Sequence, residues 1–284
     1  MLAAKRKILS SLSIGPMSKF LLFIWMLIFA SSISVSVAEG TEIILSKTVD
    51  VPYRTVSYEN QTFEIKEIGS YKTNQDIGFT VDAPGVDDML IVLYDKDKLS
   101  TWFKRFYNTS GRVAGVIPAN KTGEAGTYAL TVSHGTNIIE AIPVVISDYD
   151  LSVIPKSNKV IAGNGFDVEV AISRDGVPVN VDNTVKVVLS KGSSSFETNA
   201  SSTKTGAYEA HIEIPQAANG TFSLYSVIAT ERKVFMNYPE ILAIASGGDI
   251  EIAPPSAGEK MPFVGGAVTL LILLGMALFI KKKL

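Results

Sequence analysis

The chain is poor in groups that do chemistry. Among its 284 residues are two histidines, His134 and His211, and no cysteine, so thiol catalysis and thiolate metal sites are excluded and a zinc centre is short of ligands. Glu209, His211 and Glu213 alternate, and on a strand they share one face with Cα atoms about 6.6 Å apart at each two-residue step. Such a row is able in principle to grip a cation, although a solvated strand face explains it more simply. No Gly-x-Ser-x-Gly elbow occurs, and Ser193, Ser194 and Ser195 follow Gly192 in what reads as a hairpin loop. Asp87, Asp88, Asp95 and Asp97 read as turn carboxylates beside the strand Val92-Leu93-Tyr94. Adjacent carboxyls do not show the facing pair that glycoside hydrolysis needs. An exported hydrolase acting through His211 or Asp95 is therefore the weakest functional reading.

Residues suited to binding are better represented. Trp102, Phe103, Phe106 and Tyr107 are interleaved with Lys104 and Arg105. Flat aromatics stack on sugar rings or anchor protein contacts, and adjacent cations add to both. The competing and favoured account is core packing, with Trp102 and Phe106 on a short amphipathic helix or cross-over capping a core. Four aromatics in six residues do not all point inward from a helix or a strand. Asp148 and Asp150 flank Tyr149 at an expected module junction, and their oxygens with backbone carbonyls suit Ca2+, the one cofactor the sequence leaves open. Five Asn-x-Ser/Thr sequons, at Asn60, Asn108, Asn120, Asn199 and Asn219, are glycosylation candidates.

Along the chain, short runs of alternating or β-branched residues are broken by Gly, Pro, Asn and Asp about every 8 to 12 residues, an all-β pattern. Val185, Val187 and Leu189 alternate with Lys186, and Tyr208, Ala210, Ile212 and Ile214 alternate with Glu209, His211 and Glu213. Asp175-Gly176 predicts a tight hairpin, and Pro178 confines the strand after it to an edge or an entry position. A repeat is also visible. Ile117-Pro118, Gly126-Thr127-Tyr128 and Pro143 before Val144–Ile146 match Ile214-Pro215, Gly220-Thr221-Phe222 and Pro239 before Ile241–Ile244. With the Asp175–Val179 hairpin and the Gly-Thr-Tyr or Gly-Thr-Phe strands, the second copy resembles the immunoglobulin-like sandwich modules common on prokaryotic surfaces. The first copy lacks the Asp-Gly-Val-Pro stretch. This resemblance implies two tandem β-sandwiches, at 39–147 and 148–246.

The ends set the expected location. Lys19, the apolar stretch Phe20–Ala30 and Ser36-Val37-Ala38 predict a signal peptide over 1–38, or a signal anchor if uncleaved. Gly247 to Lys260 reads as a stalk rich in Gly and Pro. Met261 to Ile280 is long enough to cross a bilayer as a helix, and Lys281, Lys282 and Lys283 in the tail 281–284 belong on the cytoplasmic side. The segment between the two membrane-directed ends carries 19 basic against 28 acidic residues, a net charge of −9, which argues against nucleic-acid partners. Sequons without cysteine suggest an archaeal cell surface. The leading expectation is a non-enzymatic, membrane-anchored surface protein serving envelope structure or contact with proteins or glycans. An accessory subunit of a membrane complex is the alternative.

Overall fold

The computed structural model describes residues 40–58 and 61–255. The segment 1–38, Asn60, the distal stalk 256–260, the span 261–280 and the tail 281–284 lie outside the described residues. Among those described there is no α-helix and no helix long and apolar enough to cross a membrane. The all-β expectation holds. The strands up to Ser147 are β1 (Glu42–Leu45), β2 (Thr48–Tyr58), β3 (Gln61–Lys72), β4 (Ile77–Asp82), β5 (Asp88–Tyr94), β6 (Ser100–Tyr107), β7 (Arg112–Ile117), β8 (Gly126–His134) and β9 (Asn137–Ser147). After Asp148 follow β10 (Tyr149–Pro155), β11 (Lys159–Ile161), β12 (Gly165–Arg174), β13 (Val177–Pro178), β14 (Thr184–Lys191), β15 (Ser194–Asn199), β16 (Ser201–Lys204), β17 (Ala207–Glu213), β18 (Gly220–Lys233) and β19 (Pro239–Ala253).

These strands build four sheets. Sheet I has the order β1-β4-β7 and sheet II the order β2-β3-β9-β8-β5-β6. Sheet III is β10-β12-β17-β16 with β13 on β12, and sheet IV is β11-β19-β18-β14-β15. In both halves the last strand has a parallel neighbour, β3 on β9 and β11 on β19, and an antiparallel one, β8 and β18. The alternation read from the sequence is what closes the second half. Val185, Val187 and Leu189 of β14 meet Tyr208, Ala210 and Ile212 of β17 in one buried cluster, each aliphatic side chain contributing about 1.5–3 kcal/mol by leaving water. Asp175 and Gly176 turn between β12 and β13 at φ 52° and 77°, the left-handed values of a tight hairpin, and Pro178 sits on the two-residue edge strand β13.

Sheets II and IV pack on each other through a second apolar layer. Val49, Val51, Ile65, Ile68 and Val145 from sheet II cluster with Val188, Tyr225, Val227, Ile241 and Ile244 from sheet IV. The contacts advance across sheet II as the chain runs back along β19. Ser70 of β3 donates to Ile244 O at 2.9 Å, Thr127 of β8 donates to Ile241 O at 2.9 Å and accepts from Ile241 N at 2.6 Å, and Tyr94 of β5 stacks on Phe235 at 5.4 Å. The β18–β19 hairpin thus crosses the strands of sheet II, and β8, enclosed on both faces, is buried from Gly126 to Ser133.

Four sequence expectations change. The Pro143 and Pro239 elements are not equivalent: Gly126 pairs with Ile146, but Gly220 pairs with Ile252, so the counterpart of Val144–Ile146 is Ile250–Ile252. The extra length is the hairpin arm that crosses sheet II. Gly247–Ala253 is therefore strand rather than stalk, with Ile250 and Ile252 at 0 and 1 % exposure. Gly247 lies at the register shift between the Leu224–Gly248 and Tyr225–Ser246 pairs; a Cβ there would stand 2.8 Å from both Leu224 Cδ2 and Val153 Cγ1. The hairpin turn is Gly192-Ser193, while Ser194 and Ser195 pair with Lys191 and Ser190. Finally, the aromatic cluster lies on a strand, β6, and not on a helix.

Candidate binding surface

Strand β6 ends sheet II and, among the described residues, pairs only with β5. Alternation divides its aromatics. Trp102 and Phe106 turn towards sheet I, where Trp102 meets Phe79 edge-on at 5.9 Å. Gly115 on β7 makes room for that ring, since a Cβ there would lie 2.6 Å from Phe79 Cζ. Phe103 and Tyr107 face away and are 69 and 66 % exposed. Trp102 and Phe106 thus pack inward as the core-packing account expects, and Phe103 and Tyr107 remain at the surface.

Between the exposed rings stands Arg105. Its Nε and Nη2 donate to the two oxygens of Asp88 at 2.9 and 2.6 Å, and its guanidinium lies 5.2 Å from the Tyr107 ring centroid. Hydrogen bonding from Arg105 holds the Asp88 carboxyl below the usual carboxylate range and raises the guanidinium further. The bidentate fork fixes the plane of the cation beside the ring, so less side-chain freedom remains to be lost on binding. Lys104 on the other face lies 4.9 Å from Phe106. Asp88, read from sequence as a turn carboxylate, is the strand residue that orders this strip. Only the pairing of β5 with β6 brings it there.

Elsewhere the candidates separate. Asp150 is bound to the Lys72 ammonium at 2.5 Å, and the same ammonium donates to Tyr149 O; the positive charge beside Asp150 is thus supplied by the chain itself. Asp148 is exposed. Among the described residues no three His, Cys, Asp or Glu side chains gather in a metal-binding arrangement. His211 Nδ1 lies 2.7 Å from Asp167 Oδ1, and its Nε2 lies 3.6 Å from Glu213, on an exposed face of sheet III. Asp95 accepts from the amides of Asp97 and Leu99 at 2.9 and 2.8 Å, a turn carboxylate as expected. Asn108, Asn120, Asn199 and Asn219 are all exposed.

Sequence reading did not show the clefts between sheets II and IV. One, enclosing about 1100 Å³ with its open mouth, is lined by Asp50, Tyr53 and Lys66 from the first half and Ser190, Thr221 and Ser223 from the second. Its residues are far apart in the chain, and no single motif gathers them.

No protein-family model and no characterised protein matches the chain in sequence. Among solved structures it is similar to FdeC, an Escherichia coli adhesin, at 10 % identity and a TM-score of 0.28, over 75 % of this chain and 64 % of that one. It is also similar to a DUF4785 family protein of Legionella pneumophila, at 12 % identity and a TM-score of 0.40, over 76 % of this chain and 66 % of that one. The chain spans just under two thirds of the length of each.

Proposed function

We propose that this is a non-enzymatic surface protein, anchored by the apolar span 261–280, that presents the Phe103, Arg105 and Tyr107 strip for contact with an envelope protein or glycan. The observation that carries the reading is the strip itself: two large aromatic side chains, mostly exposed, on an end strand, with a salt-bridged arginine fixed between them. The order β10-β12-β17-β16 against β11-β19-β18-β14-β15 supports an immunoglobulin-like label for the second sandwich, because it follows the A-B-E-D and G-F-C orders of that fold. In the first sandwich the β2–β3 hairpin is an addition to the same scheme. The terminal lysines and the apolar span support an outward-facing segment.

The test uses the full chain in mild detergent with envelope fragments from its source. Phe103→Ala combined with Tyr107→Ala is expected to weaken co-sedimentation at least tenfold while leaving the melting temperature unchanged, since both side chains are exposed. Undiminished binding by the double variant would refute the strip as the contact. A partner retained in constant ratio after extraction would instead make the chain the outer subunit of a complex.

A further inference from the structure

A second cleft between sheets II and IV gathers hydrogen-bond donors that the fold itself does not use. It encloses about 380 Å³, within the range of about 300–1,000 Å³ usual for small-molecule sites. Its wall from sheet II comes from β2, at the opposite end of that sheet from β6. Arg54 of β2, Tyr225 of β18 and Tyr238, just before β19, all line it. Neither the Arg54 guanidinium nor the two phenol hydroxyls make a hydrogen bond or ion pair with another described residue. The tyrosines are only 6 and 7 % exposed, yet no enclosed side-chain oxygen among the described residues lacks a partner. Their hydroxyls therefore emerge from the packed layer into the open space of the cleft.

Two backbone irregularities bring these groups together. In β2, Asp50 pairs with Glu67 and Arg54 with Ile65, so Val51, Pro52 and Tyr53 oppose Lys66 alone. Such a bulge re-aims the side chains beside it, and Pro52, with no amide to donate, fits there. On the other side, the Phe235–Asn237 turn, with Asn237 at φ 57°, presents Tyr238. The Tyr238 amide donates to Phe235 O at 3.0 Å, and the Val234 amide donates to Tyr238 O at 2.8 Å. Packing and backbone hydrogen bonds thus fix both rings before anything binds, which lowers the ordering cost of a ligand.

Charge selects the kind of ligand. Arg54, Lys186 and Lys233 line the cleft against Glu197 and Glu231, three cations to two carboxylates, and Lys186 is taken by Glu197 at 3.2 Å. Burial holds both phenols above the ordinary tyrosine range against the pull of Arg54, so each keeps a proton to donate. Neutral phenols beside a guanidinium suit an oxyanion, and a planar carboxylate matches the arginine fork. Glu197 and Glu231 oppose a second negative charge, which disfavours phosphate, while Glu231 and Thr184, both exposed, can meet neutral hydroxyls at the rim.

We propose that this cleft binds a sugar acid, whose carboxylate accepts from Arg54, Tyr225 and Tyr238 and whose hydroxyls meet Thr184 and Glu231. The site is separate from the β6 strip and does not depend on it.

The experiment is calorimetric titration of the full chain in mild detergent with glucuronate, glucose and inorganic sulfate. Glucuronate is expected to bind saturably and the other two at least tenfold more weakly. Arg54→Gln, at an exposed position, and the double variant Tyr225→Phe with Tyr238→Phe, which keeps both rings in the core, are each expected to weaken glucuronate binding about tenfold. Lys204→Gln, on β16, is expected to bind as the native chain does. No saturable binding of glucuronate overturns the proposal, as does undiminished binding by Arg54→Gln. Glucose binding equally well removes the role of the carboxylate, and sulfate binding equally well removes that of the sugar; either result also overturns it. A diglucuronate that binds more tightly than the monomer assigns the acid to a polysaccharide, and equal affinity assigns it to a free sugar acid, both in support of the site.

Discussion

Burial pushes the Glu140 carboxyl up to about 7. It sits on β9 below the stretch where β3 and β9 pair, which is limited to Gly69–Lys72 opposite Val144–Ser147, and its Oε1 accepts from the Ala141 amide at 2.8 Å. Because the folded-state value lies above the unfolded one, the folded protein holds this proton more tightly. Its contribution to stability is complete below about pH 4.5 and is lost as pH rises through about 7, a change of roughly 3 kcal/mol. Glu140→Gln keeps an acceptor for the amide and removes the charge. Urea midpoints at pH 5 and pH 8 are expected to converge in the variant relative to the native chain. Equal pH dependence in both would show that the carboxyl is not held neutral. The sequence does not reveal this site, since Glu140 reads there as an ordinary polar position among β-branched neighbours.

At the scale of elements, what the sequence makes legible depends on how many faces of a strand are covered. β12 and β17 each turn one face to the core and alternate visibly, whereas β14 alternates only at its start and then buries Val188 and Ser190 on its other face as well. The Asp175-Gly176 turn has a local cause and reads equally well. β8 and the middle of β18 are enclosed on both faces, so Tyr128-Ala129-Leu130 and Leu224–Ile228 lose their alternation. The Gly247-Gly248 pair resembles a linker for a different reason: a bulge in a long strand and a flexible stalk call for the same residue. The two glycines are expected to fail differently. Gly247→Ala forces a methyl against Leu224 and Val153 and should cost 1–3 kcal/mol. Gly248→Ala meets open space but keeps φ at 82°, a strain of roughly 1 kcal/mol. Denaturant midpoints separate the two, and a Gly247→Ala variant as stable as the native chain would contradict the packing described for β19.

For the molecule as a whole, the apolar layer between sheets II and IV joins the first and second halves of the described chain. β9 ends at Ser147 and β10 begins at Tyr149, so a single residue separates the halves, and the crossing hairpin adds Phe235 against Tyr94, Phe63, Ala129 and Ala141. Calorimetry of the chain is expected to give one unfolding transition for these residues. Phe235→Ala should remove roughly 3–5 kcal/mol, mostly from the coupling, and resolve two transitions. Two transitions in the native chain would mean that the layer does not couple them. The order of the sheets also decides how the body answers tension. β19 lies between β18, along which it pairs from Gly220 to Lys233, and β11, with which it pairs in parallel. A pull on Ala253 along the strand axis therefore strains these bonds together, in shear, rather than opening them one after another like a zip, and a tether attached there would hold against drag that a peeled strand would not survive.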